Sequence, residues 1–300
     1  MTRVTTHTEV YRRFEGELSA HAPAFWALAV MEIRTALRRK LPLLILYGPP
    51  AVATIAFSFL VYLRYSFLTQ PPGEMGFRGG MAMTMADRLL HVREIVVQLN
   101  IQVRFFALLA VAWYGAGLLA DDRTSGAHQL WFSRPLTRVG YLMSKFVTAC
   151  FFGLLAVTAP ILVLCSVAAF NSPDWVFLKE DWPLVLRSLG YSLLWVLTMS
   201  CIVLATSALS DRKSFSLAGV FGIIMITMGA SFVMTEIYGD RTWMVISPTG
   251  AFQSIGEWML DSRRGRLVDE AGAAGISIAI MTGASLAIVA WRLRKAEVVK

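Results

Sequence analysis

Apolar residues in this chain gather into long runs separated by short polar links. Six runs approach the length needed to cross about 30 Å of hydrocarbon: residues 41–63, 104–120, 146–170, 184–209, 215–238 and 271–291. The pattern predicts an all-α polytopic membrane protein, with a polar tail at 1–24 and a single six-span domain over 25–300. Ahead of the first run, Phe25, Ala29, Ile33, Ala36 and Leu37 recur at helical spacing, while Glu32, Arg34, Arg38 and Arg39 fall mostly elsewhere. Residues 25–40 therefore read as an amphipathic helix in the interface, with Arg34, Arg38, Arg39 and Lys40 near anionic headgroups, or else as a solvated lead-in to the first span.

Finer features mark the links and the spans. Gly48-Pro49-Pro50 and Pro160 remove backbone donors inside runs and predict kinks. Met85, Leu89, Val92, Val96, Leu99 and Val103 form a one-sided stripe on a helix expected to run on into the second span. Trp175 and Trp182 suit an aromatic interfacial belt, and Ser210 to Ser214 is tight enough to make its flanking spans antiparallel neighbours. In the sixth span Ala271, Gly275, Ala279, Gly283 and Ala287 recur every four residues. Either this is a chance run, or it admits a close helix from the same bundle or from a second copy.

Composition narrows the class. Of 300 residues, 56% are hydrophobic and only 16% charged, which excludes two soluble domains of ordinary make-up. Cys150, Cys165 and Cys201 all lie in apolar runs and read as small buried hydrophobes. The net charge of +8 is assigned to the ends of spans, not to nucleic-acid binding. The first twenty residues are polar, so no signal peptide is expected. Lys and Arg are densest in the short links on the side that holds both termini, so both termini and Gly126 are expected in the cytoplasm, with Gly76, Asp174 and Arg264 outside.

Candidate chemistry is sparse. Arg187 and Glu236 stand near span ends, and His7, His21, His91 and His128 fall outside the spans. No nucleophile elbow, H-E-x-x-H or G-x-x-x-x-G-K-[ST] occurs, so a catalytic role is not expected, and no phosphate loop is present to bind ATP. Met81, Met83 and Met85, with Met75 and His91 nearby, offer soft ligands for Cu(I). Residues two apart on a helix do not face one another, however, and methionine equally fills a helix surface.

The link between the second and third runs is the most patterned stretch. Asp122-Arg123 leads into a Gly126 turn, and a short amphipathic piece carries Leu130, Trp131 and Phe132. Then follow Ser133-Arg134-Pro135-Leu136-Thr137-Arg138 and, further on, Lys145. With Gly115 and Gly117 before it, this order resembles the membrane subunit of type-2 ABC exporters. Asp122 stands where that family more often has Glu, and Ala127 where it has Thr. Ser247-Pro248-Thr249-Gly250-Ala251-Phe252 is similar to the segment before the family's last span.

The resemblance implies a permease of the bacterial inner membrane that exports a hydrophobic or amphipathic substrate. It would be a dimer of two such subunits, homo- or heterodimeric, driven by two separate ATP-binding-cassette subunits that hold the ATP and magnesium; this chain would carry no cofactor. Asp122, Arg123, Gly126, Leu130, Trp131, Phe132, Arg134, Pro135, Arg138 and Lys145 would be the coupling surface, with the aromatics as anchors and the basic residues at an exposed rim. A link that is only a basic turn against headgroups stays open beside this. So do a subunit that passes ATPase work to an envelope, motility or metal-centre maturation machine, and a membrane enzyme or scaffold that needs no ATPase.

Overall fold

The computed structural model describes residues 24–68, 91–126, 137–261 and 267–295. The described chain is all α: α1 (Ala24–Leu37), α2 (Lys40–Leu68), α3 (Val92–Thr124), α4 (Arg138–Asn171), a short α5 (Val176–Glu180), α6 (Trp182–Leu209), α7 (Lys213–Tyr238), α8 (Pro248–Met259) and α9 (Ala271–Lys295), with single 3-10 turns before α5, α8 and α9. Helices α2, α3, α4, α6, α7 and α9 are long and apolar enough to span a membrane, and the chain is an integral membrane protein with several spans.

Local chemistry sets several boundaries. Gly126 takes a φ of +68° immediately after α3, and Gly239 a φ of +67° at the end of α7, where a side chain would be strained. Thr137 opens α4 by accepting from the Gly140 amide at 3.1 Å. Ser247 does the same for α8 through the Gly250 amide at 3.1 Å, with Pro248 at the first helical position.

The spans do not contribute equally. In α6, 78% of the most apolar stretch is buried, against 17% in α7 and 22% in α2 and α9. Helix α6 is therefore the axis, packed on α3, α4, α7 and α9, while α2 lies against α3 and α4. Glycine permits the tightest crossings: a Cβ at Gly153 would come within 2.6 Å of Val111 and 2.8 Å of Val196, and one at Gly115 within 2.7 Å of Val203.

Several expectations need correction. The interfacial helix stops at Leu37, and Lys40 opens α2. The helix of the second span runs on from the stripe ahead of it, as expected, and begins by Val92, so Arg104 sits twelve residues inside it. The third extends back to Arg138, placing Lys145 within α4. The stripe on α9 is not the face that meets the bundle: Ala274, Ile278, Ser285 and Val289 are buried, whereas Ala279, Gly283 and Ala287 are exposed, and a Cβ at Gly275 or Gly283 would meet nothing. Between α7 and α9, α8 buries Ala251, Phe252 and Ile255.

Candidate functional site

Helix ends converge at the α1 end of the bundle. Leu28 of α1, Leu119 of α3, Tyr141 of α4, Leu204 and Ala208 of α6 and Val289 of α9 form one apolar cluster there. The first described helix and the last turns of the final span thus meet on the same side. Burying these residues removes α1 from simple attachment to an interface: Ala29 is fully buried, while Trp26, Met31 and Arg34 on its other side are exposed.

Lys145 sits at the centre of this region with only 1% of its surface exposed. Its ammonium is paired with Glu32 of α1 and lies 2.6 Å from Asp122 Oδ2 of α3. It also lies 5.2 Å from the centroid of the Tyr141 ring. Tyr141 donates its hydroxyl to Asp122 Oδ2 at 2.8 Å, and Thr148 Oγ1 is 3.1 Å from Glu32 Oε2. Lys145, Tyr141 and Thr148 are spaced four and three apart, so one face of α4 carries all three. Two carboxylates from different helices therefore share one ammonium on a third.

The electrostatics show what such a cluster is for. Burial raises the Glu32 carboxyl above its ordinary value of 4.5, a larger effect than the opposing pull of Lys145. Desolvation outweighs attraction, which makes the cluster a poor source of net stability and a strong constraint on geometry. Removing any one member strands charge in a dry site; retaining all of them fixes α1, α3 and α4 in one register.

A second joint lies beside the first. Arg123 donates to the Ala208 carbonyl at the end of α6 and pairs with Asp211 in the link to α7. Ser207 donates to the Ala116 carbonyl at 2.7 Å and accepts from the Leu119 and Ala120 amides. Lys213, at the start of α7, stands 4.2 Å from the centroid of the Trp113 ring. The end of α3 is thus tied to α1, α4, α6 and α7.

Of the residues singled out in the sequence, Asp122 and Lys145 are brought into contact and Arg123 lies beside them. Lys145 is not at an exposed rim, as expected, but at the centre of the packing. Gly126 provides the turn after α3. Arg138 is exposed, as are Arg34, Arg38, Arg39 and Lys40. Leu130, Trp131, Phe132, Arg134 and Pro135 lie outside the described residues, and so does the methionine segment from Met75 to Met85. Glu32, Tyr141, Thr148 and Asp211 were missed. Glu32 had a signal, being the lone acid on a helix followed by basic residues. Comparison with protein-family models and with curated proteins found no match to this chain.

Proposed function

We propose that this chain is the membrane subunit of an ATP-driven exporter of the type-2 ABC kind, taking its energy at the α1 end from separate ATPase subunits. The observation that carries the proposal is the buried triad of Glu32, Asp122 and Lys145. It joins α1 to the two helices that bracket residues 127–136, the segment holding the patterned link. A force applied to that link would reach α1, α3 and α4 together, because shifting one helix alone would strand a charge. In this reading both termini are cytoplasmic, two ATPase subunits dock at the α1 end, and Trp131 and Phe132 seat in a pocket of the ATPase. The apolar faces left open on α2, α7 and α9 meet lipid and a second permease copy. The exported molecule is hydrophobic or amphipathic.

Co-expression with candidate ATP-binding-cassette subunits from the same genome, followed by mild detergent extraction, tests the reading. The expected result is a stable complex whose ATP hydrolysis depends on the permease. Replacing Trp131 and Phe132 by Ala should weaken it, at about 2 kcal/mol for each anchor. A cysteine at Gly126 should react only from the cytoplasmic side. A chain that extracts without an ATPase, and whose presence leaves hydrolysis unchanged, would point instead to a scaffold or an enzyme that needs no nucleotide.

A further inference from the structure

At the end of the bundle opposite α1, a cavity of about 250 Å³ opens between α3, α6 and α8. Glu94, Asn100, Arg104, Tyr191, Gln253 and Glu257 line it. Asn100 is 1% exposed, and neither its side-chain oxygen nor its nitrogen has a hydrogen-bond partner among the described residues. A buried carboxamide left in that state is costly, so its presence needs a physical reason.

The neighbouring charges are held apart. Arg104 Nη1 donates to Tyr191 Oη, whose hydroxyl donates to the Phe252 carbonyl at 2.8 Å, and Arg104 Nε donates to the Asn100 carbonyl at 3.3 Å. These bonds fix the guanidinium and leave Nη2 uncommitted. Gly256 makes room for the arrangement, since a Cβ there would lie 3.0 Å from the Tyr191 ring and hydroxyl. Glu257 accepts from the Leu267 amide at 2.8 Å and from the Gln253 amide at 2.9 Å, both neutral donors, and forms no ion pair with Arg104. One cavity thus holds Arg104 and Glu257 without an ion pair between them, and the unpartnered Asn100 carboxamide is sealed behind its wall.

We infer that this cavity binds a small zwitterion of the α-amino-acid type. The ligand's carboxylate faces Arg104 Nη2 and its ammonium the Glu257 side of the cavity, and the Asn100 side chain turns out of the wall to meet the ligand with its amide. A simple anion would meet Glu257, and a simple cation would meet Arg104; a molecule carrying both charges satisfies each wall. The volume exceeds the roughly 30 Å³ share of one water severalfold, and is near the lower end of small-molecule sites. This inference stands apart from the proposed energy supply, because it concerns the other end of the bundle.

The test is titration calorimetry of the purified full chain in detergent micelles with L-alanine, L-serine, L-glutamine, acetate and methylammonium. At least one amino acid should bind, with acetate and methylammonium at least about tenfold weaker, the loss expected when one charge is unmatched. Asn100→Leu should abolish binding while its thermal midpoint stays level or rises, because the unpartnered amide is gone. Arg104→Lys, which keeps the charge without the planar fork, should weaken binding by about tenfold. The inference is overturned if none of the three amino acids binds at about 10 mM, where even a site of about 1 mM affinity would be largely filled. Unchanged affinity in either folded variant would overturn it as well.

Discussion

At the α1 end, Lys145 is buried between two carboxylates and packed beside a tyrosine ring; at the other end, Asn100 is buried as deeply with neither amide atom engaged. Both sites take polar groups out of solvent, and both carry the associated penalty. At the first, the protein supplies every partner from its own helices, so the penalty becomes a condition on how α1, α3 and α4 stand together. At the second, the protein supplies a rigid arginine and a separated glutamate and leaves the amide open. A polar group satisfied from within holds structure, and one left unsatisfied is available to something from outside.

The largest effect should come from breaking the satisfied end. Lys145→Met leaves Glu32 and Asp122 buried without a cation, and should lower stability by about 3–5 kcal/mol in equilibrium unfolding from mixed micelles. A loss near zero would mean that the site is wet and the contrast between the two ends false. The unsatisfied end should respond in the opposite direction. Asn100→Leu removes two orphaned polar atoms without opening a large cavity, and should leave stability unchanged or raise it by about 1 kcal/mol.

Acidity sharpens the contrast further. Glu32 is raised by burial, so the folded chain holds that proton more tightly than the unfolded chain. The stability linked to it is complete below the ordinary value of 4.5 and is lost as pH rises through the raised folded value. Wild type should therefore gain stability relative to Glu32→Gln as pH falls through that window, in paired unfolding curves. The smallest effect belongs to the outer face of α1. Arg34→Ala and Arg38→Ala, both exposed, should each change stability by less than about 0.5 kcal/mol.

The six spans were legible because length and apolarity alone define them, and their tight links followed from the charged residues between them. The stripe from Met85 to Val103 made the early start of α3 legible, whereas α4 begins at Arg138, well outside hydrocarbon-like sequence, with no such stripe to mark it. Asp122 and Lys145 were both marked as important, but as members of a docking surface. That they meet each other depends on the packing of α3 on α4, which periodicity does not encode. Glu32 was assigned to the polar side of its helix because carboxylates usually face water; a buried lysine on another helix reversed that rule. Asn100 and Arg104 gave no comparable signal, since their significance lies in partners that are missing or distant in sequence.

The central claim is that Lys145 binds α1 to the rest of the bundle as one mechanical unit. A double-mutant cycle on Lys145→Met and Glu32→Leu, read by unfolding in mixed micelles, measures that link directly. The account predicts a coupling of about 1–3 kcal/mol, with the double variant far less damaged than the sum of the two single ones. Additivity within about 0.5 kcal/mol would contradict it, because the two side chains would then be neighbours without being a joint.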